Sequence, residues 1–233
     1  MRTIGMLGGM SWESTLEYYR LANELVQQRL GGYHSARILL DSLDFDEIET
    51  MQMAGQWDAA GQFLTAHARA LQDAGAGLLV LCTNTMHKVV DAIQAALDIP
   101  VLHIADATAD AIRAGRLARV GLLGTAFTME QDFYRERLAR HGIDVLIPDK
   151  DDRALVHRAI YDELVHGVLR ESSRQACREV IEGLVQAGHR ESSWDAPRSN
   201  RSSRTPTARC QRSRQHGVMS GPPSMRPWPN PTE

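Results

Sequence analysis

The sequence predicts an α/β protein made of two similar halves, each a parallel sheet flanked by helices, with the second half cut short. Three observations carry that expectation. Short apolar runs alternate with helix-patterned runs from the start of the chain, the signature of parallel strands joined by crossover helices. The order then restarts, because "ARVGLLGT" at 118–125 repeats the form of "RTIGMLGG" at 2–9. Finally, the composition breaks at His189, after which leucine, isoleucine and phenylalanine are absent.

Each element has a local reason. "RTIGMLGG" (2–9) is an apolar strand running into a Gly-rich turn, and a helix follows from Ser14 to Leu30. "ARILLDSLDF" (36–45) is a second strand, and the acidic "DFDEIE" (44–49) reads as a solvated loop or a helix start. "QWDAAGQFLTAHARALQDAGA" (56–76) spaces Ala, Leu and Phe as a helix does and closes at Gly75. "GLLVLC" (77–82) is continuously apolar, as a strand buried on both faces must be. A helix is expected over 85–97 and another strand over 99–105. In the second half, strands are expected at 118–125 and 143–149, a helix near Thr128, and further helices at 153–167 and 172–188. The whole is a doubly wound, Rossmann-like (flavodoxin-like) architecture in two pseudo-symmetric domains. Residues 1–100 form the first and 101–188 an incomplete second, with 189–233 a disordered tail.

The tail carries eight Arg, eight Ser and seven of the nine Pro, and a charge of about +5 against −8 for the remainder. Such a segment buries too little apolar surface to offset its chain entropy. An RNA-binding arm is one reading of it, and its hidden content favours another. Read one base out of register, the codons for "GHRESSWDAPRSN" can spell "G-V-I-L-G-C-T-E-I". The glycine at Trp194–Asp195 is forced, because Trp has a single codon. That hidden string is the partner of "AGLLVLCTNT" (76–85) that the repeat requires at this place. Far downstream, "MSGPPSMRPWPNP" yields an amphipathic helical sequence in the same register. The tail therefore reads as out-of-frame translation.

With 233 residues the chain can bury a sizeable core, and its net charge of −3 gives no reason to expect nucleic acid or an anionic membrane as partner. No apolar run is long enough to span a bilayer, and the N-terminal strand is too short for a signal peptide. Cys82, Cys177 and Cys210 are widely separated and form neither a disulfide framework nor a zinc pattern, so a reducing cytoplasm is expected.

Cys82 ends a buried parallel strand and faces the "TNT" start of a helix, the edge at which open α/β sheets bind ligands. A helix N-terminus there is expected to lower a thiol pKa and to offer N–H groups to a carboxylate. The plain alternative is a small buried structural cysteine. "GGMSWEST" (8–15) lacks the dinucleotide-loop spacing and suits a tight turn instead. His87 is read as helix-capping or partly solvated, with a place beside the thiolate as the rarer outcome. Neither Lys88 nor Lys150 sits in a Schiff-base setting, which argues against a pyridoxal phosphate mechanism. The histidines show no metal-ligand spacing.

"IGMLGGMSWEST" (4–15), "LVLCTNTMH" (79–87), "VGLLGTAFTM" (120–129), "IYDELVHG" (160–167) and the out-of-frame "GCTE" together resemble the aspartate/glutamate racemase superfamily, over residues 2–188. The nearest branch is the broad-specificity amino-acid and aspartate racemases. The resemblance implies a cofactor-independent racemase for an amino acid such as aspartate or glutamate, and a possible homodimer. Cys82 is then an acid/base on one face of the α-carbon, and Met10, Ser11, Gln52, Thr83, Asn84, Thr85 and Thr125 line the substrate site. For Ser11 and Thr125, a helix N-cap is an equal alternative. The second cysteine of the family's pair falls at the Asp195–Ala196 junction out of frame and is absent, since Cys177 and Cys210 do not match its place. Rival readings are a hydantoin racemase, maleate isomerase or arylmalonate decarboxylase, or an inactive remnant that binds small carboxylates.

Overall fold

A computed structural model describes residues 1–192, with side chains through Gly188. The chain divides into two compact units between Gly115 and Arg116. The expected domain limit at residue 100 and this division lie on either side of one helix, Ile104–Ala114.

The first unit holds a four-stranded parallel sheet in the order β2-β1-β3-β4. Its strands are β1 (Ile4–Gly8), β2 (Ile38–Ser42), β3 (Leu78–Leu81) and β4 (Val101–Leu102). β1 and β3 are buried along their whole length. Central strands covered on both faces have no solvent side, so their sequences show no alternation. The connecting helices are α1 (Trp12–Leu30), α2 (Phe45–Met53), α3 (Trp57–Asp73), α4 (Val90–Ala95) and α5 (Ile104–Ala114). α3 buries Ala60, Gly61, Leu64, Ala68 and Leu71, a stripe at helical spacing. That stripe packs with Leu7, Met10, Ile48, Leu79, Leu81 and Met86 into one core.

One open local expectation is decided and two are revised. The acidic run at 44–49 is a helix start: the Asp44 side chain accepts from the Asp46 N–H (3.2 Å), and Ile48 is fully buried. The helix expected over 85–97 opens as a 3₁₀ segment, Thr85–Val89, before α4 begins. The strand expected over 99–105 shrinks to Val101–Leu102. The chain turns helical at Ile104 because the His103 side chain accepts from the Ala105 N–H (3.1 Å), and Ile104, Ala105 and Ala109 then form a buried helix face. Periodicity cannot separate a short apolar strand from the apolar first turn of a helix.

The second unit begins with β5 (Arg119–Gly121), paired in parallel with β6 (Asp144–Leu146). Its helices are α6 (Ala126–Glu130), α7 (Asp132–Ala139), α8 (Lys150–Asp162) and α9 (Glu171–Ser192). A 3₁₀ turn at Leu164–His166 follows α8. The internal repeat is structural as well as textual. In the first unit a Cβ on Gly8 would strike the Thr15 side chain at 2.4 Å, and in the second a Cβ on Gly124 would meet Thr128 at 3.1 Å. Gly8 ends β1 and Gly124 lies three residues past β5, and each abuts a threonine in the first turn of the next helix. Among the described residues the second sheet has two strands. The partner expected beside β5, and the tail, lie outside the described residues, although α9 continues past Gly188 to Ser192.

Candidate active site

The order β2-β1-β3-β4 reverses direction between β1 and β3, and the connections leaving these two strands diverge there. In open parallel sheets the crevice for a ligand lies at that switch point, outside the carboxyl ends of the strands. Two segments meet this edge: Gly9–Ser11 after β1, and Cys82–Asn84 after β3.

The first is held by its backbone. Gly9 has φ 85°, and a Cβ there would lie 2.1 Å from the Leu43 carbonyl oxygen, so only glycine fits. The Gly9 N–H donates to Thr15 Oγ1 (2.9 Å), whose hydroxyl donates to the Ser11 carbonyl (2.9 Å). The Met10–Ser11 peptide bond is cis. Met10 is buried in the core cluster of the first unit. Ser11 occupies the N-cap position of α1, yet its side chain makes no capping hydrogen bond.

The second segment is fixed from three directions. The Cys82 N–H donates to the Leu7 carbonyl (2.9 Å), continuing the β1–β3 ladder. The Ser14 hydroxyl donates to the Cys82 carbonyl (3.1 Å). His87 turns inward and bonds to the Thr83 carbonyl from Nδ1 (2.8 Å). Thr83 and Thr85 are buried, and Asn84 is half-buried at the N-cap position of the 3₁₀ segment. Gln52, near the end of α2, donates from Nε2 to Met86 Sδ (3.0 Å), which brings α2 to the same loop. Lys88 places Nζ 3.8 Å from the Trp57 ring centroid.

Comparison with known proteins supplies what geometry does not. The family model for Asp/Glu/hydantoin racemases matches residues 7–191. The chain belongs to the Asp/Glu/hydantoin racemase family. Among solved structures it is similar to a Yersinia pestis protein assigned as an Asp/Glu racemase, at 53% identity and a TM-score of 0.75. That match covers 81% of this chain and 82% of the other. An aspartate racemase homologue from Pyrococcus horikoshii is 32% identical, with a TM-score of 0.67 and coverage of 83% and 81%. Glutamate racemase from Streptococcus suis is 41% identical over 63 residues, 26% of this chain and 24% of that protein. The chain thus matches about a quarter of the length of these curated relatives.

In this racemase-family chain the motifs at 4–15, 79–87 and 120–129 run from β1, β3 and β5 onto the ends of their strands, whereas "IYDELVHG" lies in α8 and the 3₁₀ turn after it. Six of the named site residues besides Cys82 belong to the first unit: Met10, Ser11, Gln52, Thr83, Asn84 and Thr85. Thr125 belongs to the second, where it is the N-cap of α6 and its hydroxyl accepts from the Thr128 N–H (3.3 Å). Cys177 is buried mid-way along α9, not at a strand end. No cluster of His, Cys, Asp or Glu suited to a metal exists among the described residues, and no described helix is long and apolar enough to cross a membrane.

The thiol departs from expectation. Cys82 has no exposed surface, and burial pushes its pKa up to about 12 rather than down. The 3₁₀ segment that follows spans five residues, too short to sum a large dipole, so the desolvation of a thiolate prevails. His87 also differs from the partly solvated reading, since it is 2% exposed. Its capping role is real but directed elsewhere, because the Ile104 N–H at the start of α5 donates to its Nε2 (3.2 Å). The sequence reading missed Ser14 as a contact of Cys82. Its only textual signal is its place one turn beyond the Gly-Gly pair.

Proposed function

We propose that this chain carries one half of an amino-acid racemisation site, in which Cys82 is the acid/base on one face of the substrate α-carbon. The observation that carries this reading is the position of the sulfur, at the carboxyl end of β3 beside the sheet's switch point, in a chain of the racemase family. Racemisation breaks the Cα–H bond, passes the proton to a base and leaves the electron pair delocalised into the carboxylate. A proton then returns to the opposite face, which calls for a second acid. The buried Cys82 thiol is protonated at neutral pH in the free protein, so it is poised as the donor and must lose its proton before it can abstract one.

Aspartate or glutamate is the proposed substrate. The Ser11 hydroxyl and the Thr83–Thr85 segment supply donors for a carboxylate on the first unit. The scheme uses sulfur alone and no cofactor. The second cysteine belongs to the out-of-register reading at Asp195–Ala196, outside the described residues.

The test is α-deuterium incorporation in D₂O, followed by NMR with L- and D-aspartate and L- and D-glutamate. Exchange of one enantiomer without inversion is the expected result, since one face has its thiol. Cys82→Ser should lower that exchange by roughly 10²–10⁴-fold. Unchanged exchange in that variant overturns the reading, and no exchange of any enantiomer by the parent chain favours a carboxylate-binding remnant.

A further inference from the structure

We infer that His87 is a positioning residue for Cys82, a neutral imidazole that clamps the Thr83–Asn84 peptide to the start of α5. The inference rests on the proposed role of Cys82. A carbonyl oxygen only accepts, so the 2.8 Å contact with the Thr83 carbonyl requires a proton on Nδ1. Nε2 is then bare, and the Ile104 N–H donates to it at 3.2 Å. The two bonds demand the same tautomer and satisfy both ring nitrogens. His103, the N-cap of α5, packs its ring against His87 at 4.7 Å between centroids. With His87 buried, this tautomer satisfies the ring, the Thr83 carbonyl and the Ile104 N–H together, with the Asn84 and Leu102 carbonyls also facing the ring.

The consequence for the site is direct. His87 cannot carry the substrate proton, because each nitrogen is committed to the backbone. It sets the Thr83–Asn84 peptide instead, while Leu7 and Ser14 fix the N–H and carbonyl of Cys82 from the other side. Four elements therefore locate the sulfur: β1, α1, the 3₁₀ segment and α5.

Two variants separate the halves of the clamp. In His87→Asn the amide reaches the level of Nδ1 and keeps the bond to Thr83. In His87→Gln it reaches the level of Nε2, keeps Ile104 and loses Thr83. Cys82 is read directly as its rate of iodoacetamide alkylation in the full chain, resolved from Cys177 and Cys210 by peptide mass spectrometry. His87→Gln should speed that alkylation by about 10-fold and His87→Asn should stay near the parent rate. Steady-state α-deuterium exchange should show kcat falling roughly 10- to 100-fold in His87→Gln with KM within a few-fold, and largely restored in His87→Asn.

Equal alkylation and kcat in the two variants, or the reverse order, overturns the clamp. If neither variant folds, long-range ¹H–¹⁵N correlation on the parent chain decides. The Nδ1–H tautomer at pH 7 is expected, and an Nε2–H tautomer or an imidazolium refutes the inference. Exchange that survives Cys82→Ser would remove the proposed function, whereas the alkylation and tautomer measurements would still judge the clamp.

Discussion

At the scale of single residues, two buried groups give the molecule a pH dependence of defined sign. His87 is held at about 3, below its ordinary 6.5, by burial first and then by the nearby His103, against the opposing pull of the Thr83, Asn84 and Leu102 carbonyls. Between those values the folded imidazole is neutral while the unfolded one binds a proton, so stability falls as pH drops from about 6.5 toward 3. The slope from this group approaches about 1.4 kcal/mol per pH unit within the window. Urea midpoints from pH 7 to 4 should fall steeply in the parent and less steeply in His87→Asn; parallel curves would contradict the assignment. Cys82 acts at the other end. Its thiol keeps a proton in the fold between about 9.0 and 12 while the unfolded thiol has lost it, so stability declines as pH rises through that range. Alkylation of Cys82 should likewise climb with pH and show no plateau below about pH 11, where an activated thiolate would already have saturated.

At the scale of elements, the turn after β1 and the α3 stripe bear the largest costs. Gly9→Ala places a Cβ 2.1 Å from the Leu43 carbonyl oxygen at φ 85°, and the clash is with backbone that cannot swing away. A loss of about 3 kcal/mol or more, or failure to fold, is expected by urea titration. Leu64→Ala empties a fully buried site between α3 and the sheet and should cost about 2–5 kcal/mol. Asp149, whose carboxylate accepts from the N–H groups of Asp151 and Asp152 at 3.0 Å, caps α8, and Asp149→Ala should cost about 1 kcal/mol.

At the scale of the whole molecule, the first unit has a complete four-stranded sheet and its own core, whereas the described part of the second has two strands. Stability should differ accordingly. A fragment ending at Gly115 is expected to unfold cooperatively by circular dichroism, and a gradual, non-cooperative melt would show that its core depends on the rest of the chain. Much of this architecture was legible in the text. β1, β3 and α3 followed from continuous apolar runs and helical spacing, and the repeat was visible in the paired "G-x-L-G" turns. The boundary errors at Ile104 and at Thr85–Val89 share a cause. Short apolar runs carry no period, and a capping contact such as His103 with Ala105 decides between strand and helix.

The sequence by itself determined the fold class, the edge on which Cys82 sits and the family, because apolar period and turn glycines are local properties that survive as text. Tertiary structure alone decided the chemical state of that edge. Whether a thiol is activated or suppressed depends on how much water the surrounding elements exclude, and burial at Cys82 outweighed the short helix that was expected to lower its pKa. The commitment of both His87 nitrogens was equally beyond the text. One bond is local and the other joins residues separated by α4 and β4, and only the fold brings that carbonyl and that N–H to opposite sides of one ring.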